Sequence, residues 1–102
     1  MQLDLLLRNG TLVHPGQGSV AGSLGVKDGT IAALLPADTD ASAIDIVDCT
    51  GRWIMPGIID PHVHFGFGSP ETDFATEARS AVLGGVTSAL SFYRTADFQF
   101  TR

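Results

Sequence analysis

The most constraining feature of this sequence is a short apolar segment that carries two histidines, Pro56-Gly57-Ile58-Ile59-Asp60-Pro61-His62-Val63-His64-Phe65. Successive residues of a β-strand point to opposite sides, so a strand here places Asp60, His62 and His64 on one face and apolar residues on the other. Two imidazoles that point the same way can share one metal ion, because each neutral ring supplies one nitrogen at about 2.0–2.1 Å. The segment therefore predicts a buried strand with a metal-binding face.

A His-x-His pair alone is a weak signal, because ordinary surface or core histidines are more common than metal ligands. The surroundings of this pair favour metal ligation, because a Pro-Gly turn leads into the strand and both histidines fall at its carboxyl end. Catalytic residues gather at that end of the strands in a βα barrel. We therefore expect His62 and His64 to be metal ligands. His14 lies beside Pro15 in a predicted loop, and we expect it at the surface.

Composition disfavours several classes of protein. The chain has 102 residues, 44% hydrophobic and 17% charged, which is typical of a small globular domain. Its formal net charge of -5 argues against nucleic acid or an anionic membrane as partner, and no apolar run approaches the ~20 residues that span a bilayer. The N-terminus lacks the basic region of a secretory signal. The single cysteine, Cys49, cannot form an internal disulfide, so we expect a cytoplasmic protein and a half-buried, unreactive thiol.

The first 55 residues predict a small sandwich-like β unit made of short strands between turns. Residues 3–13 predict a β-hairpin around Asn9-Gly10, a pair that tolerates positive φ. Further turns are expected at Lys27-Asp28-Gly29 and Thr50-Gly51, and a polar link at 36–43. The other predicted strands are Ser23 to Val26, Thr30 to Leu35, Ile44 to Val47 and Trp53 to Met55.

After residue 56 the pattern changes to strand, helix, strand. A glycine-containing loop follows the histidines, and Thr72 or Asp73 is the expected N-cap of a helix. Apolar residues then recur along one helical face, and Gly84-Gly85 is expected to end the helix. Val86 to Phe92 predicts a second strand, parallel to the first through a right-handed crossover.

These motifs together resemble the amidohydrolase superfamily. Pro56–His64 resembles the opening of its sequences, and Asp73–Thr87 resembles its cyclic amidase branch, which includes dihydropyrimidinase or hydantoinase, dihydroorotase and allantoinase. Asp4–Gly10 and Lys27–Ala32 also resemble that branch, so the similarity covers nearly the whole chain. The resemblance implies an α/β fold: a β-sandwich segment over 1–55, then strand 1, helix 1 and strand 2 of a (β/α)8 metallo-dependent hydrolase barrel over 56–102.

The resemblance also implies a chemistry. In such enzymes the two histidines after the first strand bind one of two divalent metals, usually zinc, and a bridging hydroxide attacks a ring amide carbon. Carried over to this sequence, His62 and His64 are the metal ligands. Asp60 either orients a ligand or makes a structural hydrogen bond beneath the barrel mouth. A small cyclic amide is the implied substrate, and a homo-oligomer, dimer or tetramer, is implied for the complete protein.

The sequence departs from the branch in length and at two substrate-binding positions. A barrel of this type needs roughly 250 residues, so we expect an N-terminal portion that lacks the bridging lysine, two further histidines and the catalytic aspartate, and that is inactive alone. Dihydroorotases commonly carry an arginine after His-x-His-Phe and an asparagine after the second strand. Gly66 and Phe92-Tyr93-Arg94 stand there instead, which favours hydantoinase-like chemistry on an uncharged ring. Arg94 is expected at the solvated surface.

The sequence also allows other functions. Dihydropyrimidinase-like scaffold proteins form tetramers without catalysis, although such relatives tend to lose the ligands that correspond to His62 and His64. A truncated piece without a function of its own is a further alternative, because exposed strand edges and apolar faces favour aggregation. Dihydroorotase and allantoinase are the alternatives within the enzyme branch.

Overall fold

The computed structural model describes residues 2–66 and 69–92, except for the side chain of Pro70. The chain divides into two compact units after Pro56. No helix within the described ranges is long and apolar enough to cross a bilayer. The elements in chain order are β1 (Leu3–His14), β2 (Gly18–Lys27), β3 (Thr30–Leu35), β4 (Ala43–Asp48), β5 (Trp53–Ile54), β6 (Ile58–Val63), α1 (Pro70–Leu83) and β7 (Val86–Ser91).

The first unit is organised around β1. This strand runs antiparallel to β2 and parallel to β4 and β5. The sheet has five strands: four follow the order β3-β2-β1-β4, and β5 also pairs with β1. Three leucines of β1, Leu3, Leu6 and Leu12, are buried and form a small core with Cys49. A sandwich needs a second sheet against the first, and the described residues of this unit contain only the one sheet.

The predicted hairpin within residues 3–13 is wrong, because β1 continues through the Asn9-Gly10 pair. The register with β2 shifts between Leu7 and Gly10, which is a β-bulge that adds one residue to β1. Asn9 does adopt the expected positive φ, 59°, but the backbone bulges there instead of reversing. The reversal into β2 comes after His14, whose carbonyl accepts a hydrogen bond from the backbone N–H of Gln17 at 2.9 Å.

A buried serine explains why the bulge is stable. The backbone N–H of Asn9 donates to Ser23 Oγ at 2.9 Å, and the Ser23 hydroxyl donates to the Ala37 carbonyl at 3.2 Å. Ser23 is 0% exposed, so both of its bonds satisfy groups that would otherwise be costly to bury. The Asn9 side chain adds a bond from Nδ2 to Thr50 Oγ1 at 2.9 Å. The bulge is thus held by residues far away in sequence.

The other features of this unit are close to those expected. The turn at Lys27-Asp28-Gly29 is confirmed, with positive φ at Asp28 (51°) and Gly29 (70°), and the bounds of β3 are as predicted. The Asp4 carboxylate fixes this turn: it accepts bonds from Lys27 Nζ at 2.8 Å and from the backbone N–H of Asp28 at 2.7 Å. These bonds, that from Lys27 first, lower the pKa of Asp4.

The second unit has the predicted order of strand, helix and strand, and β6 and β7 pair in parallel. The predicted N-cap, Thr72 or Asp73, is wrong, because Ser69 is the N-cap and α1 starts at Pro70. The Ser69 carbonyl accepts the backbone N–H of Thr72 at 3.1 Å and that of Asp73 at 2.8 Å. Proline suits the first helical position because its missing N–H needs no partner there. The predicted end at Gly84-Gly85 is confirmed.

Candidate metal site at the end of strand β6

Two irregularities in the β6–β7 ladder determine how the histidines are presented. Between the pairs Ile58–Val86 and Ile59–Ser88, β7 has one extra residue, and between Asp60–Ala89 and Val63–Ser91, β6 has one extra residue. The two shifts cancel, so the strands end in the register in which they began. The second bulge falls at Pro61-His62, where proline has no N–H to offer the ladder.

Asp60 closes this second bulge. Its Oδ1 accepts a hydrogen bond from the backbone N–H of His62 at 3.0 Å, so an amide that the bulge removes from the ladder is satisfied locally. Both roles considered for Asp60, orienting a ligand and making a structural hydrogen bond, stay predictions. The carboxylate fixes the backbone of one predicted ligand.

The imidazoles of His62 and His64 converge. Their Nε2 atoms are 3.2 Å apart, and the ring centroids are 5.0 Å apart with an interplanar angle of 76°. Two ligands of a tetrahedral ion, each bonded at about 2.0–2.1 Å, lie about 3.3–3.4 Å from one another. Both side chains are exposed. The pair therefore has the spacing and access that a shared metal ion requires.

The tautomer of His64 follows from its neighbour. His64 Nδ1 is 3.1 Å from the backbone carbonyl oxygen of Phe92, and a carbonyl can only accept, so Nδ1 carries the hydrogen. In the neutral ring the lone pair is then on Nε2, the atom that faces His62. A hydrogen bond from the second ring nitrogen to a backbone carbonyl is typical of metal-bound histidine. The donor set of the pair therefore fits a divalent ion.

The pair is not a complete metal site within the described part of the chain. No group of three or more His, Cys, Asp or Glu side chains that could hold an ion occurs among residues 2–66 and 69–92. A catalytic zinc site needs three protein ligands. His14 lies in the first unit, at the end of β1. Cys49, also in the first unit, is a free, buried thiol.

The end of β7 takes part in the site, which the sequence analysis did not predict. The Phe92 ring lies 4.6 Å from the His62 ring, centroid to centroid. Ser91 Oγ accepts the backbone N–H of Phe65 at 3.3 Å. The available signal was positional, because Phe92 follows the strand parallel to β6 and the carboxyl ends of parallel strands lie side by side. Arg94 lies outside the described residues.

The chain is similar in sequence to several enzymes that act on cyclic amides. D-hydantoinase of Rhizobium radiobacter is 36% identical over 94 residues, 88% of this chain and 20% of that protein. Dihydropyrimidinase 2 of Caenorhabditis briggsae is 34% identical over 94 residues, 88% of this chain and 18% of that protein. Allantoinase of Escherichia coli O1:K1 / APEC is 34% identical over 92 residues, 88% of this chain and 20% of that protein. No protein-family model matches the chain.

Solved structures agree with these sequence matches. L-hydantoinase from Arthrobacter aurescens matches with a TM-score of 0.76 and 33% identity, over 87% of this chain and 20% of that one. N-acyl-D-glutamate deacylase from Bordetella bronchiseptica, solved with zinc and a phosphonate inhibitor, matches with a TM-score of 0.75 and 26% identity, over 89% of this chain and 19% of that one.

This chain therefore belongs to the amidohydrolases, as the His-x-His strand and its surroundings predicted. Within them its relatives are hydantoinases, dihydropyrimidinases and allantoinases, and it corresponds to an N-terminal part of such a protein. The chain spans about a fifth of the length of the curated relatives that it matches. A closed barrel is not present in its described residues, which form a strand-rich piece with one helix.

Proposed function

We propose that this chain is the ligand-bearing N-terminal part of a metal-dependent hydrolase that opens cyclic amides. The observation that carries the proposal is the 3.2 Å separation of the His62 and His64 Nε2 atoms at the carboxyl end of β6. Its relatives add the substrate class, because hydantoinases, dihydropyrimidinases and allantoinases are similar to it over 88% of its length.

The architecture proposed for the complete protein is a (β/α)8 barrel with a β-sandwich. Residues 1–55 would form a segment of the sandwich, and residues 56–102 would begin the barrel. The parallel pairing of β6 with β7 through α1 supports the second assignment, because a barrel repeats this unit. The five-stranded sheet of the first unit supports the first, since a sandwich needs such a sheet as one of its two layers.

The metal that we propose is a divalent ion, zinc, held through Nε2 of His62 and Nε2 of His64 as part of a binuclear centre in the complete protein. When bound, such an ion lowers the pKa of a bound water and polarises a carbonyl group. The residues of this chain hold the two rings in place for it. The Asp60 carboxylate fixes the peptide of His62, and the Phe92 carbonyl fixes the tautomer of His64.

The proposed substrate is a small uncharged ring of the hydantoin or dihydropyrimidine type. Gly66 supports this choice, because it offers no charged group where dihydroorotases place an arginine for a substrate carboxylate. Allantoin is the second candidate, on the strength of the 34% identity with allantoinase. We further propose a homo-oligomer in the cytoplasm. The net charge of -5 and the single cysteine support a protein without nucleic acid or membrane partners in a reducing compartment.

The test uses the three histidines of the chain as a matched set. Zinc binding to the wild type, His62→Ala, His64→Ala and His14→Ala is measured by calorimetry and by competition with a chromophoric chelator. We expect each change in the pair to lower zinc affinity by more than about tenfold, because a ligand is lost, and His14→Ala to bind as the wild type does. In the complete polypeptide, the same two changes should abolish hydrolysis of hydantoin and dihydrouracil.

Two results in the substituted proteins would contradict the proposal. One is zinc binding that survives the loss of both His62 and His64. The other is unchanged ring hydrolysis by a complete polypeptide that carries both substitutions. The 102-residue chain by itself should bind the ion without hydrolysing either ring, because two imidazoles do not complete a catalytic site.

A further inference from the structure

Two hydrogen bonds donated by backbone N–H groups join the end of β7 to the histidine segment. The backbone N–H of Phe92 donates to the Val63 carbonyl at 2.9 Å, and the backbone N–H of Phe65 donates to Ser91 Oγ at 3.3 Å. Val63 and Phe65 alternate with the two histidines along the chain. These bonds therefore fix the backbone on either side of His64 relative to β7.

Phe92 also contacts both imidazoles, each by a different part of the residue. Its carbonyl oxygen lies 3.1 Å from His64 Nδ1. Its ring lies 4.6 Å from the His62 ring at an interplanar angle of 31°, a tilted arrangement at the centroid distance of favourable ring pairs. The His64 ring lies farther from the Phe92 ring, at 6.3 Å. One residue thus limits the orientation of both rings.

Burial does not explain the position of the Phe92 ring. The side chain is 42% exposed, so it is not a core aromatic, and the described ring partners nearest to it are the two histidines. A ring that stays accessible while it lies against an imidazole restricts that imidazole's rotation without covering its nitrogen atoms. Phe92 therefore has the geometry of a support for the pair.

We propose that Phe92 is the positioning residue of the histidine pair, its carbonyl fixing the Nδ1–H tautomer of His64 and its ring fixing the orientation of His62. This inference rests on the proposed function, since it concerns the same two ligands. Ligands that are already oriented bind a metal more tightly, because less rotational freedom is lost on binding. Phe92 touches no reacting atom and acts only through the histidines.

The first experiment examines the metal-free chain. Long-range ¹H–¹⁵N correlation spectra of the imidazoles report which nitrogen of each histidine carries the hydrogen. We expect the Nδ1–H form for His64 and a ring-current shift on the His62 ring protons. The Phe92→Leu change should remove that ring-current shift and leave the His64 tautomer unchanged, because leucine keeps the backbone carbonyl.

The second experiment measures zinc affinity of Phe92→Leu, with Phe92→Tyr as the conservative variant and Phe74→Leu as a matched control. Phe74 lies on α1, where its ring lies 5.7 Å from the Phe65 ring, centroid to centroid. We expect Phe92→Leu to bind zinc about tenfold more weakly, at the low end of the effect of residues that support metal ligands. Phe92→Tyr should retain the wild-type affinity, because it keeps the aromatic ring, and so should Phe74→Leu.

The outcomes separate this inference from the proposed function. An Nε2–H tautomer for His64 in the metal-free chain overturns the positioning role, and so does wild-type zinc affinity in Phe92→Leu. Failure of the wild-type chain to bind zinc overturns the proposed function, while the tautomer and the ring-current shift still decide whether Phe92 orients the pair. Equal losses of affinity in Phe92→Leu and Phe74→Leu would also count against a specific role, because they would reflect general loosening.

Discussion

The two units of this chain differ in how they hold their residues in place. In the first unit, Leu3, Leu6 and Leu12 of the central strand are 3%, 0% and 5% exposed. In the second, no side chain described within 57–66 and 69–92 is buried to that extent, and apolar residues such as Ile59 (68%) and Leu83 (82%) are largely exposed. The first unit has a packed core, and the candidate site lies in the unit without one.

The difference follows from the number of strands. β1 has neighbours on both edges, and its leucines are buried within this five-stranded unit. A two-stranded sheet with one helix cannot enclose a core of that kind. Individual hydrogen bonds therefore position the histidine pair: the His62 backbone N–H donates to Asp60, and His64 Nδ1 donates to the Phe92 carbonyl. Precision in the second unit depends on a few named contacts.

The largest effect on stability should come from truncating a buried side chain in the core of the first unit. Leu6 is fully buried, so Leu6→Ala should lower the free energy of unfolding by about 2–5 kcal/mol through lost burial and the cavity left behind. Leu83→Ala is the matched change in the second unit. Because Leu83 is 82% exposed, its loss should change stability by less than about 0.5 kcal/mol. Urea denaturation followed by circular dichroism measures both.

Equal losses of unfolding free energy in Leu6→Ala and Leu83→Ala would contradict the difference between the two units. Such a result would mean that the helix carries packing that its exposed side chains do not indicate. A small cost at Leu6 alone would instead show that the β1 leucines rearrange to fill the space.

A second test concerns the close approach at the start of β6. A Cβ added at Gly57 would overlap the Thr87 side chain, starting with Oγ1 and Cγ2. Gly57→Ala should therefore force β6 away from the bulge of β7, at a cost of about 1–3 kcal/mol to the strand pairing. Hydrogen exchange should report the change at the amides of Ile58 and Phe92, which donate to Gly85 and Val63.

Gly84→Ala is the control for this change. Gly84 has φ -84°, and its added Cβ would meet Ala81 O at 3.4 Å, so alanine fits and should stabilise slightly through the unfolded state. If Gly57→Ala leaves exchange at Ile58 and Phe92 unchanged, the two strands are not held as closely as the register indicates.

Local signals in the sequence predicted much of the fold, and the predicted hairpin failed for a reason that is not local. The Lys27–Gly29 turn, the bounds of β3 and the end of α1 depend on residues next to each other in sequence. The Asn9-Gly10 pair was misinterpreted because positive φ suits a turn and a bulge equally well. What decides between them is the buried hydroxyl of Ser23, fourteen residues away, and no local pattern indicates that contact.

In the candidate metal site, too, the local features could be predicted from the sequence and the long-range contacts could not. Convergence of His62 and His64 follows from strand alternation, so the sequence could predict it, and their function as metal ligands stays a prediction. The support from Phe92 depends on the register of two strands separated by a helix and on two compensating bulges. The hydrogen bond that His64 Nδ1 donates to the Phe92 carbonyl joins residues 28 positions apart. Contacts of that kind become visible only when the strands are placed side by side.

The smallest expected effect is on the stability of the first unit at low pH. It tests how much the polar contacts of that unit add to its packed core. Hydrogen bonds from the Lys27 side chain and from the backbone of Asp28 lower the pKa of Asp4 below its ordinary 3.8. The Thr50 hydroxyl and backbone do the same for the pKa of Asp48. A carboxyl group with a lowered pKa in the folded state stabilises the fold above the unfolded value and loses this contribution as pH falls through the folded value.

The urea midpoint of the chain should therefore be steady near neutral pH and fall as the pH drops below about 4. Asp4→Asn should lower the midpoint modestly near neutral pH, because the partners of Asp4 are solvent-accessible, and should make the acid-induced fall shallower. Asp38→Asn, at an exposed aspartate, is the control for the loss of one charge. A fall of unchanged steepness in Asp4→Asn would show that the Lys27–Asp28 turn does not depend on the ionised carboxylate, and that packing alone holds it.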